Sequence, residues 1–221
     1  MDSHHSPSHT ASGVDVPRLH VLTGPHDDAG GLQPIEQALA AGAPAIQIRL
    51  KNTTDAERFA VTEAITARCR AAGALAIVND RVDLALAVGA DGVHLGAADL
   101  PVPAARAVAG SRLLIGGTAR DPAQARALVA QGVDYLGVGP TCATTTKSGL
   151  PEPIGVAGVA AVAAAVTVPV LAIAGITAQQ VTELCRAGVH GVAVTAAVTR
   201  APDPGLATRD LLAALGEVPV A

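Results

Sequence analysis

The chain of 221 residues is long enough for one large domain, and half of its residues are apolar, so that it can bury a sizeable core. Its formal net charge of −4 and its aromatic content of 1% argue against a nucleic-acid surface, because such surfaces need positive charge and rings for base stacking. The three cysteines are far apart and fit neither a disulfide framework nor a C-x-x-C metal site, and no apolar segment of signal-peptide type begins the chain, so the sequence predicts a cytoplasmic protein.

Residues 1–17 are rich in His and Ser and are predicted to form a disordered tail. After the tail, short runs of β-branched and other apolar residues recur at intervals of roughly 20–30 residues, which is the length of a βα unit. The eight predicted strands are Leu19–Thr23, Ala45–Arg49, Ala74–Asn79, Gly92–Leu95, Leu113–Gly116, Tyr135–Val138, Val168–Ala172 and Gly191–Thr195.

Alanine-rich segments with helical spacing lie between many of these runs. The predicted helices are Asp55–Ala72, Pro101–Ala109, Pro122–Gln131, Val156–Val166 and Ala178–Ala187. Several of them begin at Asp, Thr or Pro and are followed by Gly, which is typical of helix ends.

The segment between Glu152 and Glu183 has no charged residue. Pro153 and Pro169 interrupt it, and its many alanines give little free energy of membrane insertion. The pattern indicates a helix followed by a buried strand, and we expect no membrane span.

Eight strands that alternate with helices over about 200 residues predict an α/β fold, a single (β/α)₈ TIM barrel. The barrel is predicted to span residues 18–216, with a C-terminal tail over residues 217–221. The apolar runs are continuous rather than alternating, as expected of strands that are buried on both faces. An open doubly wound sheet is the alternative, but no G-x-G-x-x-G follows the first strand.

Positively charged side chains are expected at the carboxyl ends of the strands, where barrel active sites are built. Gln47, Arg49 and Lys51 share one face of the second strand, and polar groups facing the barrel interior would be costly without a function. Lys51 and Lys147 are the two lysines of a chain that otherwise uses arginine, which suggests two places where a compact ammonium meets a phosphate. We expect Arg49, Lys51 and Lys147 to converge on a polyphosphate or a dicarboxylate; pairing with nearby acids is the alternative.

Two carboxylates, Asp80 and Asp99, follow neighbouring strands and would suit Mg²⁺ beside bound phosphates. Ion pairs with arginines are the alternative. Gly175 and the pair Thr195-Ala196 follow the last two strands, where barrels commonly bind phosphate through backbone N–H groups. His94 has apolar neighbours and is predicted to be a core residue or a support for the site.

The ordered set of motifs at these positions resembles the thiamine-phosphate synthase family from about Leu19 to Leu215. The matching segments are Gln47-x-Arg49-x-Lys51, Asn79-Asp80-Arg81, Asp91 to Gly96 with Asp99-Leu100-Pro101, Gly139-Pro140 with Thr144 to Lys147, and Ala172 to Ile176. The resemblance implies a transferase that condenses a (diphosphooxymethyl)pyrimidine with a phosphooxyethyl thiazole, or its carboxylated form, and releases pyrophosphate. It implies small phosphorylated partners and no nucleic acid or membrane; a homo-oligomer is compatible with the sequence.

The resemblance also implies roles for individual residues. Those implied to bind the pyrimidine diphosphate are Gln47, Ile48, Arg49, Leu50, Lys51, Asn79, Thr118 and Lys147, with Lys147, Thr118 and Arg49 as catalytic residues. Those implied to bind the thiazole phosphate are Thr144, Thr145, Thr146, Gly175, Thr195 and Ala196. Asp80 and Asp99 are implied to bind Mg²⁺ as the cofactor.

The chain departs from the common family pattern at Ala97, Arg120, Gln124 and Ala196, where Gln, His, Glu and Ser are frequent. These departures leave the implied metal and diphosphate positions intact. Two alternatives stay open: a thiazole tautomerase-like relative, which would be expected to use a histidine at position 120, and a non-catalytic regulator that binds a phosphate ligand.

Overall fold

A computed structural model describes residues 13–24, 32–51, 53–144 and 149–216. Eight parallel strands form a closed barrel in chain order, and the last strand pairs with the first. The strands are β1 (Leu19–Leu22), β2 (Ala45–Ile48), β3 (Leu75–Asn79), β4 (Gly92–Leu95), β5 (Leu114–Ala119), β6 (Tyr135–Val138), β7 (Val170–Ile173) and β8 (Gly191–Val194). The predicted barrel is thereby confirmed.

Helices follow the strands and surround the barrel. Those of the described residues are α1 (Gln33–Ala40), α2 (Asp55–Ala72), α3 (Val82–Ala87), α4 (Val102–Ala109), α5 (Pro122–Ala130), α6 (Gly155–Ala163), α7 (Ala178–Arg186), α8 (Ala196–Thr199) and α9 (Pro204–Gly216). The longest, α2, begins with a capping box in which Thr54 and Glu57 bond each other's backbone, and it ends at Gly73 in the left-handed conformation. Its bounds are those predicted from the sequence.

The strands bury apolar side chains on both faces and so contribute to two clusters. The larger cluster lies between the strands and the helices and is aliphatic, as the composition requires. The inner cluster fills the barrel itself and contains Val16, Leu22, Ile77, Leu114, Tyr135, Leu171 and Ala193. The interior is therefore a packed core, and a ligand site must lie at an end of the barrel.

Tyr135 supplies the bulk at the centre of the inner cluster, and glycines on its neighbours make room for it. The strand register places Gly116 between His94 on β4 and Tyr135 on β6. A Cβ atom on Gly116 would lie 2.2 Å from the Tyr135 ring, and one on Gly137 would lie 3.0 Å from the His94 ring. These two glycines allow two large polar rings to meet inside the barrel.

Strand β5 differs from its predicted end at Gly116. It continues to Ala119, because Thr118 and Ala119 pair with Gly137 and Val138 of β6. Gly116, which looked like the end of a strand, instead leaves room for the Tyr135 ring, and Gly117 lies against Val133 and Leu128. Helices α1, α3, α8 and α9 were not predicted; α3 and α8 have six and four residues, too few to show a helical period.

The amino end of the barrel begins earlier than the predicted tail boundary at residue 17. Val16 is 7% exposed and joins the inner cluster, and His190 Nε2 donates to the Val16 carbonyl at 2.9 Å. Arg18 donates to the carbonyls of His190 and Leu215 at 2.9 and 2.6 Å. Apolar contact at Val16 therefore fixes residues that composition alone assigned to the tail; the predictions for residues 1–12 and 217–221 lie outside the described residues.

In the described part of the chain, no helix combines the length and the apolar character needed to cross a membrane. The uncharged segment between Glu152 and Glu183 divides into α6, β7 and the first turns of α7, in agreement with the predicted helix and strand.

Candidate functional site

Asp80 is a constrained residue at the carboxyl end of β3. Its φ of +71° lies in the left-handed region, which residues other than glycine rarely adopt, and its N–H donates to the His94 carbonyl at 2.9 Å. Its carboxylate accepts a hydrogen bond from the Asn79 amide and forms an ion pair with Lys51. The structure thus brings together three predicted site residues, and strain of this kind is typical of functional sites.

Asp99 meets Asp80 from the loop after β4, and the two carboxyl groups are hydrogen-bonded to each other. Asp99 Oδ2 also accepts from the Gly96 N–H at 2.6 Å. Burial raises the pKa of Asp99, and the hydrogen bond to Asp80 raises it further. Burial acts to raise the pKa of Asp80 too, but hydrogen bonds from Asp99 and Lys51 and the nearby positive charges outweigh it, so the pKa of Asp80 lies below its ordinary value. The two carboxyl groups therefore differ in acidity, and Asp99 is the weaker acid of the pair.

Two adjacent carboxylates of this kind suit Mg²⁺, which takes oxygen ligands and is commonly bound through one or two carboxylates together with substrate phosphates. Asp80 and Asp99 form this pair at the barrel mouth. Among the described residues, no group of three or more His, Cys, Asp or Glu side chains is placed to hold a metal ion.

Strand β2 presents Gln47 and Arg49, and Thr23 fixes their backbone. Gln47 is 2% exposed, and it alternates with Ile46 and Ile48 of the outer cluster, so it faces the barrel interior. Thr23 Oγ1 donates to the Arg49 carbonyl at 2.9 Å and accepts from the Arg49 N–H at 2.8 Å. The Thr23 N–H donates to the Gln47 carbonyl at 3.0 Å. Thr23, at the end of β1, therefore fixes the backbone position from which the Arg49 side chain extends.

Ile48 and Leu50 were implied to bind substrate, but the structure directs their side chains elsewhere. Both pack in the outer cluster between strands and helices, Ile48 fully buried and Leu50 partly. The two-residue alternation of the strand explains this, because they lie on the face opposite Gln47 and Arg49. Only their backbone groups could contact a ligand at the barrel mouth.

Thr118 lies near the carboxyl end of β5 and is linked to the barrel interior. Its Oγ1 lies 3.0 Å from His94 Nε2, and His94 Nδ1 lies 3.1 Å from the Tyr135 hydroxyl. Burial lowers the pKa of His94 to about 4, so the ring is neutral near neutral pH. His94 is a buried support for Thr118, consistent with its sequence-based interpretation.

His20 packs on the other side of Tyr135, with the two ring centroids 5.3 Å apart in an edge-on arrangement. Within the described structure, neither of its ring nitrogens has a hydrogen-bond partner. Burial, with smaller contributions from the nearby His94 and His190, lowers the pKa of His20 to about 3. A buried, unpaired imidazole is costly to charge.

A cleft of about 300 Å³ opens between the loops that follow β6, β7 and β8. Its lining residues are Thr144, Gly175, Ile176, Ala193, Val194, Thr195, Ala196 and Ala197. Four residues implied to bind the thiazole phosphate, namely Thr144, Gly175, Thr195 and Ala196, are thus neighbours. Gly175 has a φ of +70°, and a Cβ atom there would lie 2.7 Å from the Ala143 carbonyl oxygen, so glycine is what lets the two loops approach.

The remaining residues implied in this region, Thr145, Thr146 and Lys147, lie outside the described residues. Their roles stay predictions from the sequence. Thr144, directly before them, lines the cleft.

Arg120 and Arg81 belong to the motif regions but direct their side chains away from the acidic pair. Arg120 Nη2 donates to the Glu152 carbonyl at 2.7 Å, and its N–H donates to the Gln124 side chain at 3.1 Å. Arg81 forms ion pairs with Asp55 and Asp83 at 2.8 and 2.7 Å. Neither guanidinium is placed as a proton carrier, and arginine is poorly suited to that task.

Sequence reasoning missed Thr23, His20 and Tyr135. The end of β1 carried no motif, so nothing marked Thr23 as the residue that fixes Arg49. Tyr135 did leave a signal, because it is the single tyrosine of the chain and lies among strands rich in glycine. The register that turns this signal into a contact required the structure.

The chain is similar in sequence and in fold to known thiamine-phosphate synthases. The family model described as thiamine monophosphate synthase matches residues 19–198. The thiamine-phosphate synthases of Salinispora arenicola and Salinispora tropica are 49% and 47% identical, each match covering 90% of this chain and 97% of the relative. The structure of a thiamine phosphate pyrophosphorylase from Pyrococcus furiosus has a TM-score of 0.83 at 35% identity, covering 90% of this chain and 96% of that one. A 3-hexulose-6-phosphate synthase, with a TM-score of 0.72 at 18% identity, shares the barrel fold. The chain belongs to the thiamine monophosphate synthase family.

Proposed function

We propose that the protein is a thiamine-phosphate synthase, a transferase of thiamine biosynthesis. Its substrates are a (diphosphooxymethyl)pyrimidine and a phosphooxyethyl thiazole or its carboxylated form, and its products are thiamine phosphate and pyrophosphate. The observation that carries the proposal is the placement of the Asp80–Asp99 pair beside Lys51, Asn79 and Arg49 at one barrel mouth. Two acids and two cations together match a diphosphate accompanied by a divalent ion.

The diphosphate leaves with the electron pair of its carbon–oxygen bond, so negative charge develops on the leaving group. Lys51 and Arg49 would stabilise that charge, and the Asn79 amide and Thr118 hydroxyl would donate hydrogen bonds to it. Asp80 and Asp99 would hold Mg²⁺, which supplies charge neutralisation of the phosphates when it is bound. Lys147 is proposed to act on the departing pyrophosphate on the basis of the sequence.

The thiazole phosphate would occupy the cleft around Gly175, where backbone N–H groups of the loops and the Thr144 and Thr195 hydroxyls are available. Its ring nitrogen then uses its lone pair to form the new carbon–nitrogen bond. The reaction needs no strong base. It needs two rings held in line and a leaving anion that is stabilised, which positioning and preorganised charge can supply.

The direct test is to combine both phosphorylated substrates with the purified protein and Mg²⁺ and to measure thiamine phosphate and pyrophosphate. We expect stoichiometric products, and a purified, folded protein that forms neither would contradict the proposal.

Asp80→Asn and Asp99→Asn should each lower turnover strongly and raise the Mg²⁺ concentration required. Asp83→Asn is a matched control in the first turn of α3, because Asp83 pairs with Arg81 outside the acidic pair. Unchanged Mg²⁺ dependence in both site variants would refute the metal assignment.

The two alternatives predict different results in the same assays. A tautomerase would convert the isolated thiazole tautomer, and Arg120, bonded to the Glu152 carbonyl, is poorly suited to move that proton. A non-catalytic regulator would bind the phosphate ligands tightly in a calorimeter without turnover.

A further inference from the structure

A chain of three polar side chains runs from the middle of the barrel to its mouth. Tyr135 is 1% exposed and His94 is 6% exposed, whereas Thr118 is only partly buried. The contacts of 3.1 and 3.0 Å join the phenol to one ring nitrogen and the threonine hydroxyl to the other. The chain therefore connects a fully buried phenol to a hydroxyl at the proposed diphosphate site.

The direction of these hydrogen bonds follows from counting protons. A neutral imidazole has one N–H donor and one acceptor nitrogen, and the buried His94 ring has two neutral hydroxyl groups, with no carboxylate, at its nitrogens. If Nδ1 carried the proton, it would donate to the Tyr135 oxygen, and Thr118 would have to donate its own proton to Nε2. The phenol proton would then have no acceptor among the described groups, since the His20 nitrogens make no hydrogen bond either. Buried donors without acceptors are rare because they are costly.

The opposite tautomer gives an acceptor to both buried protons, those of the phenol and of the imidazole. Tyr135 donates to Nδ1, and the Nε2–H donates to Thr118 Oγ1. The Thr118 hydroxyl then accepts from below and keeps its own proton, which it can donate only to a group at the barrel mouth. An anionic oxygen is the partner that such a donor suits.

We propose that Tyr135 is a positioning residue, which fixes the His94 tautomer and thereby makes Thr118 a hydrogen-bond donor toward the diphosphate. The identification of the ligand as a diphosphate rests on the proposed function, whereas the direction of the hydrogen bonds from Tyr135 through His94 to Thr118 does not. Gly116 and Gly137 support the same arrangement, because side chains at these positions would push the Tyr135 and His94 rings apart.

The first test needs no substrate. Nitrogen-15 NMR of the free, labelled protein reports which ring nitrogen carries the proton, and the His94 signals are identified by their loss in His94→Gln. We expect protonated Nε2 and unprotonated Nδ1. Protonation at Nδ1 would overturn the proposal, whatever reaction the protein catalyses.

The second test measures coupling between Tyr135 and Thr118. Binding of inorganic pyrophosphate with Mg²⁺ is measured by calorimetry, alongside kcat/KM with the two substrates. Thr118→Val should weaken both by about 10-fold, and Tyr135→Phe by about 3–10-fold, the range for a lost neutral hydrogen bond. The double variant should be no weaker than Thr118→Val, and Thr118→Ser, which keeps the hydroxyl, should bind pyrophosphate more tightly than Thr118→Val. Additive losses would overturn the proposal, because they would show that Tyr135 acts apart from Thr118.

Two controls keep the tests separate. Thermal unfolding of Tyr135→Phe checks that the barrel is intact. If this variant fails to fold, the NMR measurement on the parent and the comparison of Thr118→Val with Thr118→Ser still test the proposal. Equal pyrophosphate affinity in the two Thr118 variants would overturn the proposal. A parent that makes no thiamine phosphate would refute the proposed function and leave the tautomer measurement unaffected.

Discussion

The unpaired imidazole of His20 should make the barrel sensitive to acid. The folded protein keeps this ring neutral, with a pKa lowered from 6.5 to about 3, whereas the unfolded chain exposes it to water. Between pH 6.5 and about 3, His20 binds a proton in the unfolded state and stays neutral in the folded state. Stability from this source is complete above pH 6.5 and is lost as the pH falls toward 3.

The magnitude follows from the two pKa values. A pH of 4.5 is two units below the pKa of the unfolded ring, which is then almost fully charged, while the folded ring stays neutral. His20 should therefore lower the free energy of unfolding by about 2–3 kcal/mol at pH 4.5 relative to pH 7. His94, with its pKa lowered to about 4, should contribute a loss of similar size. His20→Leu has comparable volume and removes two unpaired nitrogens. It should be at least as stable as the parent at pH 7 and should lose about 2–3 kcal/mol less between pH 7 and 4.5.

Urea unfolding at pH 7, 5.5 and 4.5, followed by circular dichroism, gives the free energy of unfolding of each variant. Thr66→Val is a matched control, since the Thr66 hydroxyl is also buried without a partner among the described residues but does not titrate. It should shift stability by the same amount at every pH. Parallel pH dependences of His20→Leu and the parent would refute the argument that burial of a neutral His20 causes the acid sensitivity.

Two further variants test the two halves of the site. Thr23→Val removes both hydrogen bonds to the Arg49 backbone and should lower kcat/KM for the pyrimidine diphosphate by about 10-fold, while Thr23→Ser should keep it; equal kinetics of the two variants would show that the Thr23 hydroxyl does not position Arg49. Gly175→Ala brings a Cβ atom to 2.7 Å from the Ala143 carbonyl and should raise KM for the thiazole phosphate by about 10-fold or more, whereas Gly188→Ala, with a similar φ but open space around it, should affect stability alone. Steady-state kinetics separates the two, and an unchanged KM in Gly175→Ala would contradict the assignment of the cleft.

The fold could be predicted because parallel strands covered on both faces appear in the sequence as continuous apolar runs. Eight such runs at regular spacing leave few alternatives to a barrel. The end of β5 could not be predicted, because Gly116 and Gly117 look like a break in the strand. The Tyr135 ring fills the space beside Gly116, and Val133 and Leu128 pack against Gly117. Val16 was likewise assigned to the tail because its contacts come from residues far along the chain.

The candidate site was predictable to the level of strand ends. Asp80 and Asp99 follow neighbouring strands, so their proximity follows from the barrel topology. The hydrogen bond between them and the left-handed backbone of Asp80 depend on local packing that the spacing of the residues does not encode. The contact between Thr23 and Arg49 depends on the register of two strands, which the sequence does not reveal for residues 26 positions apart.

Tyr135 has a practical consequence beyond its place in the barrel. The chain contains one tyrosine and no tryptophan, so its intrinsic fluorescence comes almost entirely from a single ring at the centre of the barrel. Emission from that ring reports whether the interior is dry and whether its phenol is still bonded to His94, without an attached label. The same signal can follow ligand binding at Thr118, because the two are joined through one imidazole. The protein carries its own optical probe, placed between its core and its proposed site.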